Sequence, residues 1–147
     1  LMNHFIILSL FFLVSCGSPQ NHKIKEGTTN SKLSEKNLQA QILDYQFDVK
    51  WLGGPFGNSK QQSKLIVFVY RNSKLSDIES GLHLQFYSSM PSMGHPMAEA
   101  GEFVRLSEGV YLNNGIKFNM PGEWMHELWL VDENFDTQDY VVWPESF

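Results

Sequence analysis

From Leu43 onward the chain alternates apolar and polar residues. Leu43, Tyr45, Phe47, Val49 and Trp51 fall on one side of an extended strand, and Asp44, Gln46, Asp48 and Lys50 on the other. A period of two is the geometry of a strand with one buried face, and no helix gathers those five positions on one side. The signature recurs: Leu82, Leu84 and Phe86 alternate with His83, Gln85 and Tyr87. Residues 65–70, LIVFVY, are apolar on both faces and rich in β-branched side chains, as expected of a central strand. Shorter runs follow at 103–106, 110–112, 116–118, 124–131 and 140–143. Gly53-Gly54-Pro55 and Gly57-Asn58 punctuate the pattern. Asn113-Asn114-Gly115 predicts a tight hairpin, because Asn and Gly tolerate positive φ. No helical periodicity of comparable strength and no internal repeat is present in this part. The expected fold is all-β, an immunoglobulin-like antiparallel β-sandwich of about seven strands over residues 41–147.

The first sixteen residues are a different material. LMNHFIILSLFFLVSC contains no Asp, Glu, Lys or Arg. Its apolar run, residues 5–14, is too short to span a bilayer as a helix, which takes about 20 residues. It has the length of a signal-peptide apolar region. The run ends Leu13-Val14-Ser15-Cys16-Gly17, which resembles the lipobox of bacterial lipoproteins, where the cysteine becomes the acylated first residue of the mature chain. Residues 1–15 are therefore read as a signal peptide and Cys16 as the lipidation site. Signal peptides carry Lys or Arg before the apolar run, and here only His4 and the terminal amine stand there. The opening Leu1-Met2 suggests a non-standard or misplaced start, with a few basic residues expected upstream. Gly17 after the cysteine, rather than Asp, resembles sorting to the outer membrane. The expected location is the cell envelope, facing the periplasm, with the bilayer as partner through acylated Cys16.

Residues 16–40 are polar, rich in Ser, Asn, Gln, Lys and Thr, and read as a flexible tether carrying four Lys against two Glu. A short amphipathic helix around 34–42 is compatible with the pattern. The remaining seven basic and fourteen acidic residues lie beyond residue 40. The whole chain has formal net charge −5, which argues against a nucleic-acid partner held by a basic face. A single cysteine excludes an intrachain disulfide and a Cys-based zinc site, and lipidation of Cys16 would exclude thiol catalysis.

One segment carries chemistry. Met90-Pro91-Ser92-Met93-Gly94-His95-Pro96-Met97 places three of the six methionines and a histidine within eight residues. Thioether sulfur is a soft ligand and imidazole a borderline one, so the cluster suits Cu(I) better than Zn, Mg or Ca. Met93, His95 and Met97 stand at i, i+2 and i+4, which in an extended loop projects all three to one side. Pro91 and Pro96 stiffen the segment and lower the entropy lost on binding. The alternative is that the methionines fill an irregular gap at the end of the sandwich.

The octapeptide is followed by Glu108-Gly109-Val110-Tyr111 and then by Phe118-Asn119-Met120-Pro121-Gly122-Glu123-Trp124. In that order these blocks resemble the YtkA-like family and the related FixH-type proteins associated with copper insertion into haem–copper oxidases. The pattern there is M-P-x-M-G-H, then G-x-Y, then F-x-M-x-G-x-W. The resemblance spans residues 82–131, about a third of the chain. It implies a small extracytoplasmic, membrane-attached β-sandwich. It also implies Met93, His95 and Met97 as metal ligands, with Met90 or Met120 completing the site. A copper-receiving membrane protein would then be the partner.

Other candidates have structural readings. Trp124, His126, Leu128 and Leu130 share a face, so Trp124 is expected in the core and His126 buried or at the rim, bonded to backbone. His83 is expected to be exposed. His126-Glu127-Leu128-Trp129-Leu130 lacks the second histidine of a zincin helix. The acidic stretch 132–139 lacks the glycine and the terminal glutamate of a calcium loop, and reads as a solvated hairpin turn. No nucleophile elbow, phosphate loop or dinucleotide fingerprint occurs. The leading expectation is a lipid-anchored, non-enzymatic Cu(I)-binding module that buffers or delivers the ion. The alternative is an envelope protein-interaction module without metal.

Overall fold

The computed structural model describes residues 32–34 and 37–147. The lipobox with Cys16 lies outside the described residues, as does most of the tether. Among the described residues there are eleven strands: β1 (Lys32–Ser34), β2 (Asn37–Ile42), β3 (Tyr45–Gly53), β4 (Ser63–Arg71), β5 (Lys74–Leu75), β6 (Leu82–Met90), β7 (His95–Pro96), β8 (Phe103–Ser107), β9 (Val110–Ile116), β10 (Glu123–Asp132) and β11 (Thr137–Ser146). They form two antiparallel sheets. One runs β1-β2-β3-β4-β9-β8 with β5 added to β4, and the other runs β11-β10-β6-β7. The all-β antiparallel sandwich expected from the alternation is the fold observed.

Each long strand turns one parity inward. Tyr45, Phe47 and Val49 of β3 and Leu65, Val67 and Val69 of β4 meet Leu84 and Phe86 of β6 and Trp124, Leu128 and Leu130 of β10 in one core. A fully buried Phe or Leu of this kind contributes about 1.5–3 kcal/mol through the apolar area it removes from water.

Three local expectations are corrected. Residues 37–42 are not helical: Leu38, Ala40 and Ile42 alternate, are buried, and pair with Val49, Phe47 and Tyr45. The sheet therefore begins ahead of the expected boundary at residue 41. With β2, the short strands β1, β5 and β7 raise the number above seven, the short ones being too brief to leave a pattern in the sequence. Finally, Asn113-Asn114-Gly115 is no hairpin. β9 runs straight through it, and three steps from Asn113 to Ile116 face two from Leu65 to Ser63, which makes a bulge. Asn113 is fully buried, donating from Nδ2 to the Ala100 carbonyl (2.9 Å) and accepting from the Gly115 N–H (3.1 Å). The polar side chain that reads as a turn signal is spent inside the fold on two backbone groups, one in the bulge and one in the loop ahead of β8.

The segment that crosses from one sheet to the other, residues 76–81, is pinned by side chains. The Tyr111 hydroxyl accepts from the Ile78 N–H and the Tyr45 hydroxyl from the Glu79 N–H, each at 3.0 Å. Asp77 receives Arg105 through two bonds of 2.8 Å and the Gly109 N–H at 2.9 Å. Chiefly because of Arg105, its carboxyl is pushed down to about 2.

Candidate functional site

The Met/His segment is a β-hairpin at one end of the sandwich. β6 ends at Met90, residues 91–94 turn, and β7 returns antiparallel with Met90 opposite His95 and Ser89 opposite Pro96. The Met93 N–H donates to the Met90 carbonyl at 3.1 Å, and Gly94 takes φ 61°, a conformation that favours glycine. The Met97 N–H then donates to the Ser88 carbonyl at 3.0 Å. Residues 98 and 99 run beside Lys117, and Asn119 Nδ2 donates to the Pro96 carbonyl at 3.0 Å. That bond ties the stretch carrying Met120 to the hairpin.

These contacts sort the five candidate ligands. Met90 and Met97 are buried, at 5% and 8% exposure, and belong to the core cluster, against which half-buried Met120 packs. Met93, at 57%, and His95 are exposed. The segment is not one extended run: Met93 lies in the turn, so the i, i+2 parity does not carry from it to His95, whereas His95 and Met97 follow on the returning stretch. The pairing that the turn creates sets His95 across from Met90. Directly opposed residues in an antiparallel pair have Cβ atoms about 5 Å apart. The Met90 methyl reaches across to Gly122, where an added Cβ would lie 2.5 Å from it.

Trp124, expected in the core, is there, and its Nε1 donates to the Met120 carbonyl at 3.2 Å. One register step deeper sits His126, fully buried among Trp51, Phe86, Phe118, Trp143 and Phe147, with ring centroids 5.3–6.3 Å away. Its partners are side chains rather than the expected backbone. Ser88 Oγ lies 2.8 Å from His126 Nδ1 and 3.1 Å from the Met125 carbonyl oxygen, within hydrogen-bond reach of both. His126 Nε2 lies 3.3 Å from Glu145 Oε2 but is not aligned with it as a hydrogen bond. The same carboxylate oxygen accepts from Trp51 Nε1 at 2.9 Å, linking the two sheets. Burial pushes the Glu145 carboxyl up, and the contacts with His126 and Trp51 outweigh it, so it sits below its ordinary value.

Serine, histidine and carboxylate in a row invite comparison with a hydrolytic triad. Ser88 is fully buried, so it is not presented to a substrate. The polar clasp escaped sequence reasoning because Ser88, His126 and Glu145 are far apart in the chain. Alternation places each on an inner face, and only the strand register places them together.

His83 is exposed, as expected. The acidic stretch forms the β10–β11 turn, where Asp132 Oδ1 accepts from the N–H groups of Asn134 (2.8 Å) and Asp136 (3.0 Å) and Oδ2 from Gln138 Nε2 (3.0 Å). Among the described residues, no three His, Cys, Asp or Glu side chains gather in a way that would hold a metal ion. No protein-family model matches the chain, and neither a curated protein nor a solved structure matches it.

Proposed function

We propose that this chain is a lipid-anchored envelope protein, non-enzymatic, whose hairpin end binds Cu(I) and buffers or delivers it. The observation that carries the reading is a thioether and an imidazole at one register position, Met90 opposite His95. Two further thioethers, Met97 and Met120, lie on segments hydrogen-bonded to that hairpin, and Met93 stands at its tip. Soft sulfur donors with one imidazole suit Cu(I), and a site with few charged groups exchanges its ion with a partner more readily than a closed carboxylate or thiolate cage. The resemblance to YtkA-like and FixH-type proteins, together with the lipobox at Cys16, supports an extracytoplasmic location on a bilayer and a copper-receiving membrane protein as partner.

The test is a Cu(I) competition titration against a chromophoric chelator, using the full chain in detergent with Cys16→Ser to remove the thiol. One equivalent bound, and none by a Met93→Leu/His95→Ala/Met90→Leu variant of unchanged circular dichroism, is expected. A second reading, an interaction module without metal, is favoured by Val104 and Leu106, exposed at 59% and 54% on the edge strand β8. A folded protein that binds no Cu(I) would leave that second reading standing alone.

A further inference from the structure

The five candidate ligands differ sharply in access to solvent. Met93 occupies the tip of the hairpin and is the most exposed methionine among the described residues, at 57%. Met90 and Met97, only three and four positions away, are in the core, and Met120 and Met125 are half-buried. An oxidant arriving from solvent therefore meets the Met93 sulfur first. Resting on the copper reading above, we propose that Met93 is an oxidation site through which peroxide lowers the Cu(I) affinity of the hairpin.

In this step the Met93 thioether loses an electron pair to hydrogen peroxide. The O–O bond breaks, one oxygen forms a bond to sulfur, and the other leaves as water. The product sulfoxide presents a hard oxygen where a soft sulfur stood, which is a poor donor for Cu(I). Its polarity costs nothing at an exposed turn, whereas the same change at Met90 or Met97 would place an S=O group in an apolar core. The hairpin thus carries one sulfur that can change chemically without unfolding the domain. Methionine sulfoxide reductases reverse the change, so the response is reversible.

The experiment treats the full chain in detergent, carrying Cys16→Ser, with limiting hydrogen peroxide and no metal. Peptide mapping then locates the added oxygen, and Cu(I) competition is run before oxidation, after it, and after sulfoxide reductase treatment. The expected result, counted over peptides from residues 37–147, is a single oxygen on Met93, Met90 and Met97 unmodified, an affinity lowered more than about tenfold, and recovery on reduction. A Met93→Leu variant should hold whatever affinity it retains unchanged by peroxide. Oxidation of Met90 or Met97 as fast as Met93 would overturn the inference, as would equal Cu(I) affinity before and after oxidation of Met93. Failure of the untreated protein to bind Cu(I) at all would overturn the copper reading and this inference with it, so the two failures are told apart.

Discussion

Replacing His126 by alanine and by leucine separates two contributions to the interior at the hairpin end: the volume of the imidazole and its polar contacts. The ring is fully buried in an aromatic box formed by Trp51, Phe86, Phe118, Trp143 and Phe147. Alanine leaves a void that five rigid rings cannot close, and large-to-small changes of this kind cost about 2–5 kcal/mol. Leucine comes close to the lost volume and leaves no group stranded. Ser88 keeps the Met125 carbonyl, and Glu145 keeps the Trp51 N–H and is itself partly exposed. What leucine forfeits is one hydrogen bond, about 1 kcal/mol net, and the unaligned 3.3 Å contact with partly exposed Glu145, under about 1 kcal/mol. Its added apolar burial offsets part of that. The expected costs are about 3–4 kcal/mol for His126→Ala and about 1 kcal/mol for His126→Leu. In urea, with a slope of about 1–3 kcal/mol per molar, alanine should lower the midpoint by about 1–3 M and leucine by less than about 1 M. If leucine costs as much as alanine at unchanged slope, the polar clasp rather than packing holds this end together, and the reasoning is wrong.

Two further outcomes follow from the side chains that pin loops. The folded-state carboxyl of Asp77 is lowered from 3.8 to about 2, so its contribution is complete above the ordinary carboxylate range and is lost as pH falls toward about 2. Asp77→Asn should therefore flatten the acid limb of melting temperature against pH between about 4 and 2, and an unchanged acid limb would contradict the assignment. Glu145, also lowered, acts in the same direction from 4.5 downward. Asn113→Ala leaves the Ala100 carbonyl and the Gly115 N–H without their side-chain partner and should cost about 2–3 kcal/mol in chemical denaturation. Asn114→Ala, at an exposed position, should stay within about 0.5 kcal/mol; equal costs would remove the buried-amide explanation.

Period two alone was enough to establish strands, the inward parity of Phe47, Leu84, Phe86, Trp124 and Leu128, and the sandwich those faces require. That legibility has a simple cause: a half-buried strand exposes its partner-independent requirement, one apolar face, in the order of its own residues. The softness of the Met and His donors can also be read from the sequence, because it belongs to the atoms and not to their arrangement. Which strands pair, and at what register, was not visible. Asn113-Asn114-Gly115 carries the local signal of a hairpin, and the register with β4 turned it into a bulge. Residues 37–42 became a strand because β3 offered them an edge. The parity expected of Met93, His95 and Met97 does not extend to Met93, because the chain reverses between Met90 and His95. The clasp of Ser88, His126, Glu145 and Trp51 joins three strands of one sheet to a fourth strand in the other. No local pattern encodes such a meeting, since it depends on the register of strands distant in sequence, and register is a property of the assembled sheet.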